Sequence, residues 1–155
     1  MGPTLQFCYI LPGHVADAFA QTPVGKLVPV LRTKADPVPF TRLDCFDQSL
    51  RRSDRMLLDL GTVWEVILPL GHTIAQIVPH REKCAADLAE GPLRQALADM
   101  SLLRRLLPFG SGTLRRSQLA FEDGAGKTRC RVDLLTLTGT DAPGATIMRL
   151  HGLRG

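Results

Sequence analysis

Apolar and polar positions along the chain alternate in short, turn-bounded runs. Residues 4–11 read as a strand, with Leu5, Phe7, Tyr9 and Leu11 on one face and Gln6, Cys8 and Ile10 on the other. Pro12 and Gly13 stop it. Val15, Ala18 and Phe19 then recur at helical spacing, which predicts a short helix over 14–21. Pro23, Gly25, Pro29 and Pro37 break up residues 22–37, which read as a loop holding one short extended piece. Extended runs follow at 38–47, 55–60 and 63–70, with a turn or short helix at 48–53 and a tight hairpin at Gly61 and Thr62. A further short strand is expected over 74–78.

Residues 81–107 carry the helical pattern. Pro92 suits a first helical turn, and Leu93, Ala96, Leu97 and Met100 recur at i, i+3, i+4 and i+7. Ser101 is the expected cap of a last short helix that stops at Pro108. Strands return at 114–122 and 128–138 around the hairpin loop Asp123 to Lys127, then a turn at 141–144 and a strand at 145–150. There is no regular strand–helix alternation, which excludes a doubly wound parallel sheet. The expected class is α+β: a curved, largely antiparallel sheet or partial barrel with a few flanking helices, near 14–21 and 82–106, packed outside it.

Composition narrows the picture. The chain has 155 residues, 45% hydrophobic and 22% charged, the size and balance of one ordinary globular domain. No apolar run is long enough to span a membrane, and no basic stretch precedes an apolar core as in a secretory leader. The net charge of +4 comes mostly from arginine; Lys26, Lys34, Lys83 and Lys127 are the only lysines. That charge permits an anionic partner without requiring one. Cys8, Cys45, Cys84 and Cys130 form no C-x-x-C pair, and with His14, His72, His80 and His151 they form no metal-ligand spacing. Buried free thiols in a reducing cytoplasm are the expectation. The run Gly124 to Thr128 has the tail of a phosphate loop but lacks its first glycine. It also lies between two strands, where no helix N-terminus is at hand, so it reads as a hairpin turn. No nucleophile elbow is present.

The basic residues near the end form a pattern. Arg129, Arg131 and Asp133 alternate with Cys130, Val132 and Leu134 and so share one strand face. Arg116 and Gln118 share a face of the preceding strand, and Arg149 lies on the last one. These positions either line one basic surface or form the solvated outside of a half-buried sheet.

Several segments carry a family resemblance. Arg42, Asp44, Phe46, Asp47, Leu50, Arg51 and Arg52 stand in a stretch that resembles the "tyrosine-phenylalanine-aspartate-threonine … leucine" segment of the CYTH family. It is most similar to the version found ahead of CHAD domains. Trp64, Glu65 and Val66 resemble the W-E-L strand that follows, and Leu119 to Asp133 resembles the aspartate-glycine-lysine hairpin of the same modules. Leu153, Arg154 and Gly155 resemble an Arg-Gly element that continues into further sequence, so a single CYTH-like domain over 1–155, cut from a longer chain, is the expectation.

The resemblance implies a triphosphate-tunnel fold, with basic and acidic residues that bind triphosphate and a divalent metal. A neighbouring CHAD domain implies polyphosphate. The catalytic pattern is broken, however. The family's E-x-E-x-K strand is matched here by Gln6, Phe7, Cys8, Tyr9 and Ile10, and two family arginines are matched by Leu58 and Leu60. Apolar side chains cannot offset the desolvation of a triphosphate. Asp59, Glu65 and Asp133, the carboxylates left on strands, form no E-x-E pair. The expectation is therefore a degenerate, non-enzymatic accessory module that binds polyphosphate or another phosphoanion through Arg116, Lys127, Arg129, Arg131 and Arg149. No catalytic residue, resident metal or cofactor is expected, and Mg²⁺ enters only if the chain is an active triphosphatase. A CHAD domain in the same chain and a homodimer are the expected partners; a membrane and a specific nucleic acid are not. The alternative is a structural or protein-interaction domain with no phosphate ligand.

Overall fold

The structure is a computed structural model that describes residues 6–80, 82–100, 103–140 and 144–152, with side chains from Cys8 onward. The start of the first strand at 4–5, the Ser101 cap, most of the turn at 141–144 and the closing Leu153 to Gly155 lie outside the described residues. Strand takes up 53% of the described residues and helix 16%. The chain forms two compact units, residues 1–38 with 113–155, and residues 39–112.

The first unit is an open antiparallel sheet. Its strands are β1 (Gln6–Pro12), β2 (Val28–Lys34), β8 (Thr128–Gly139), β9 (Ala145–Gly152) and, from Thr113 on, β7 (Leu107–Glu122). The order is β1-β9-β8-β7, and β2 pairs with β7. The register sets Val132 opposite Leu150 and Leu134 opposite Met148. These join Leu119 and Phe121 in a buried cluster, against which Leu11 and Phe19 pack. Helix α1 (Gly13–Phe19) buries Ala16 and sets the Phe19 ring 5.3 Å from that of Phe121, an aromatic contact that fixes the helix on the sheet.

The second unit is built on the order β3-β4-β5-β6, with β3 (Val38–Asp44), β4 (Met56–Asp59), β5 (Val63–Ile67) and β6 (Thr73–Ile77). Its core gathers Leu43, Leu50, Leu57, Trp64, Val66, Leu93 and Leu97, all buried. Helix α2 (Ser49–Arg52) has no side-chain cap of the usual kind; Asp44 replaces it. Its buried carboxylate accepts from the backbone N–H of Cys45 at 2.7 Å and Leu50 at 3.1 Å through Oδ1, and from Arg51 at 3.1 Å through Oδ2. One side chain thus satisfies three donors at the β3–α2 corner.

Two expectations need correction. Among the described residues the helix over 82–106 shrinks to α3 (Pro92–Ala96), with one 3₁₀ turn at Ala85–Asp87. The periodicity at Leu93, Leu97 and Met100 is real, since all three are buried. Pro92 bars a helix from running through it, and Gln76 holds the start of α3 by accepting from Leu93 N–H and donating to the Ala89 carbonyl. Near the other end, Leu106 N–H pairs with the Lys83 carbonyl at 2.7 Å, which commits both segments to extended chain. Strand β7 accordingly begins at Leu107 rather than 114, and Pro108 lies inside it. The second correction is the loop at 22–37, which holds a full strand, β2. Pro29 is tolerated there because β2 pairs along one side, and a bulge between Leu31 and Thr33 absorbs the irregularity.

Asp44→Ala should lower unfolding stability by about 2–4 kcal/mol, because it leaves three N–H donors without their acceptor. Urea denaturation checks this; a loss under about 0.5 kcal/mol would show that water replaces the carboxylate.

Candidate functional site

The face of the first unit's sheet opposite its apolar cluster carries Arg131, Asp133, Arg149 and His151. On β8 the alternation that buries Val132 and Leu134 turns Arg129, Arg131 and Asp133 the other way. The β8–β9 register sets Arg131 opposite His151 and Asp133 opposite Arg149. Two cross-strand pairs therefore bring Arg131, Arg149 and His151 around one carboxylate. Asp133 is committed on both oxygens: Gln118 Nε2 donates to Oδ1 at 2.9 Å, and His151 Nε2 stands 2.8 Å from Oδ2. Across β9, strand β1 contributes Cys8 opposite Arg149 and Ile10 opposite Ile147.

The expected site residues divide. Arg131 and Arg149 come together as described, and Arg131 is exposed. Arg116 lies on the same side of β7 as Gln118 by alternation and is half-buried. Arg129 is held by the hairpin, its Nε donating to Asp123 Oδ2 at 2.7 Å. Lys127 sits exposed in the hairpin loop. His151 is the member that the expected set lacks. It lies two residues beyond Arg149, past the expected end of the last strand at 150, and β9 runs on to Gly152.

Asp123 organises the hairpin. Its Oδ1 accepts from Lys127 and Ala125 N–H, both at 3.0 Å. The Lys127 N–H, then the Arg129 side chain, hold its carboxyl below the usual value of 3.8. Cys8 behaves in the opposite sense. Burial pushes its thiol up from the usual value and outweighs the pull of Arg149, so it is a neutral thiol at physiological pH and a poor nucleophile.

The remaining strand carboxylates do not assemble with one another. In the second unit Glu65 pairs with Leu58 and Asp59 with Trp64, which puts Glu65 and Asp59 on opposite faces of the β4–β5 ladder. Leu58 is fully buried, and Asp59 Oδ1 caps the hairpin by accepting from Gly61 N–H at 2.9 Å. The residues present do not fit the divalent cation that the family resemblance implies: β1 offers Cys8 and Ile10 where acids are needed, and Asp133 is already shared between Gln118 and His151. Among the described residues no group of three or more His, Cys, Asp or Glu could hold a metal ion. Among them, too, no helix is long and apolar enough to cross a membrane. The four cysteines are free thiols; Cys45 is buried, whereas Cys8, Cys84 and Cys130 are only half-buried, a departure from the expected buried set.

No family model matches the chain, and no curated protein matches it.

Because the folded Asp123 carboxyl lies below 3.8, the stability it lends the hairpin is complete above that pH and is lost as pH falls through the lower folded value. In an acid titration followed by NMR, the Ala125 and Lys127 amide resonances should move with a midpoint below 3.8. A midpoint at or above that value would contradict the hydrogen-bond geometry.

Proposed function

We propose that the chain is a CYTH-like module with a degenerate catalytic pattern, which binds polyphosphate or a related phosphoanion and works beside a CHAD domain. The observation that carries the reading is the cluster on the β8–β9 face, where Arg131, Arg149 and His151 surround one internally satisfied carboxylate. Arginine forks match phosphate oxygens in pairs, and both Asp133 oxygens already have hydrogen-bonding partners in Gln118 and His151. The resemblance at 42–52, 64–66 and 119–133 supports the family, and the antiparallel pairing agrees with it. The lack of acids on β1 and the buried Leu58 support binding without hydrolysis.

A second reading, a protein-interaction domain that pairs with another copy, draws on one observation. Among the described residues strand β1 pairs only with β9, and it exposes Tyr9 and, at 75%, Ile10. Such an edge can be covered by a second chain.

Calorimetry with tripolyphosphate separates the two. Binding should weaken steeply between low and physiological salt, and Arg131→Ala or Arg149→Ala should each reduce affinity roughly tenfold. No phosphate should be released with Mg²⁺ present. Salt-independent binding, or none, together with a concentration-dependent dimer in light scattering, favours the interaction domain. Turnover abolished by Asp133→Asn or Glu65→Gln would overturn the non-enzymatic reading.

A further inference from the structure

The first unit has a second concavity, on the apolar side of its sheet and so on the side away from Arg131 and Arg149. It is a cavity of about 460 Å³, bounded by α1, β2, β7 and β8. That volume lies in the range of small-molecule sites. Its lining changes character along the strands. Leu119 on β7 and Leu134 on β8 make an apolar floor continuous with the buried cluster. Further from the hairpin that joins these strands, the same face of β7 carries Ser117, Arg115 and Thr113, and that of β8 carries Thr136 and Thr138. Because the strands are joined by the 123–127 hairpin, their polar ends lie together.

Among the described residues the charge of the lining is net positive: Lys34 from β2 and Arg115 from β7 line the cavity with Asp17 as the one acid. Among the described residues neither cation makes an ion pair. Ala16 of α1 and Ala20 at its C-terminal cap, one helical turn apart, also line the cavity, and their short side chains leave the space open. An inorganic anion would leave the leucine floor uncovered, and a neutral apolar molecule would leave two cations without a counter-charge.

We propose that this cavity binds a small amphiphilic anion, a phosphate monoester or carboxylate on a compact apolar body. Arg115 and Lys34 take the oxyanion, the Ser117 and Thr138 hydroxyls donate to it, and the body rests on Leu119 and Leu134. The site is independent of the phosphoanion reading of the opposite face.

Amide NMR of the labelled chain tests it with four probes: 1-naphthyl phosphate, 1-naphthoate, neutral 1-naphthol and inorganic phosphate. At least one of the two naphthyl anions should shift Lys34, Arg115, Ser117 and Thr136 and bind at least about tenfold tighter than 1-naphthol or phosphate. The stronger of the two anions identifies the head group. Arg115→Ala and Lys34→Ala, both at exposed positions, should each weaken it roughly five- to tenfold, whereas Arg131→Ala should leave it unchanged. Leu31→Asp, an exposed change at the cavity wall that adds negative charge, should weaken it as well. Equal binding of 1-naphthol, shifts centred on Arg131 and Arg149, insensitivity to both cation variants, or no shift with any probe at millimolar concentration would each overturn the proposal.

Discussion

The first unit depends on the register between β8 and β9. With Val132 opposite Leu150 and Leu134 opposite Met148, these four apolar side chains point to one side and pack with Leu119 and Phe121. The same register necessarily sets Arg131 opposite His151 and Asp133 opposite Arg149 on the other side. A slip by one residue would bury charge and expose the core, so the hydrophobic cluster enforces the polar one. The proposed phosphoanion face and the proposed amphiphile cavity are thus two consequences of one alternation.

The second unit uses its chain differently. The segment that resembles the CYTH family is spent there on structure. Asp44 satisfies three backbone donors, Asp47 accepts from Ser49 N–H and pairs with Arg104, and Leu50 is fully buried. Trp64, which heads the W-E-L-like strand, is in the core. These residues speak for a local fold. The proposed binding face therefore lies on the first unit, where the register brings Arg131, Arg149 and His151 to the side of the sheet that carries Asp133.

Most strands were legible because their apolar positions alternate and glycine or proline ends them. The antiparallel arrangement followed from short turns such as Gly61 with Thr62 and the loop at 123–127. The helical region was overread, because Leu93, Leu97 and Met100 have true helical spacing while the chain around them is fixed by distant partners, Gln76 and Lys83. Strand β2 was hidden by Pro29 and a bulge, both of which disrupt the alternation that reveals a strand. In the site, alternation alone identified the shared face of Arg131 and Asp133. It could not identify His151 as their neighbour, because cross-strand register is set by packing on the other face of the sheet. The cavity was not legible at all: it needs α1, β2 and two strands brought together from distant parts of the chain.

The central claim is that one sheet face, organised by Asp133, receives phosphate oxygens through Arg131 and Arg149. The direct measurement is the set of arginine Nε–Hε resonances during a tripolyphosphate titration. The account predicts that Arg131 and Arg149 move together and saturate. Arg55, which is paired with Asp99, and Arg115, on the opposite sheet face, should stay in place. A uniform drift of all arginines, or movement confined to Arg115, would contradict it.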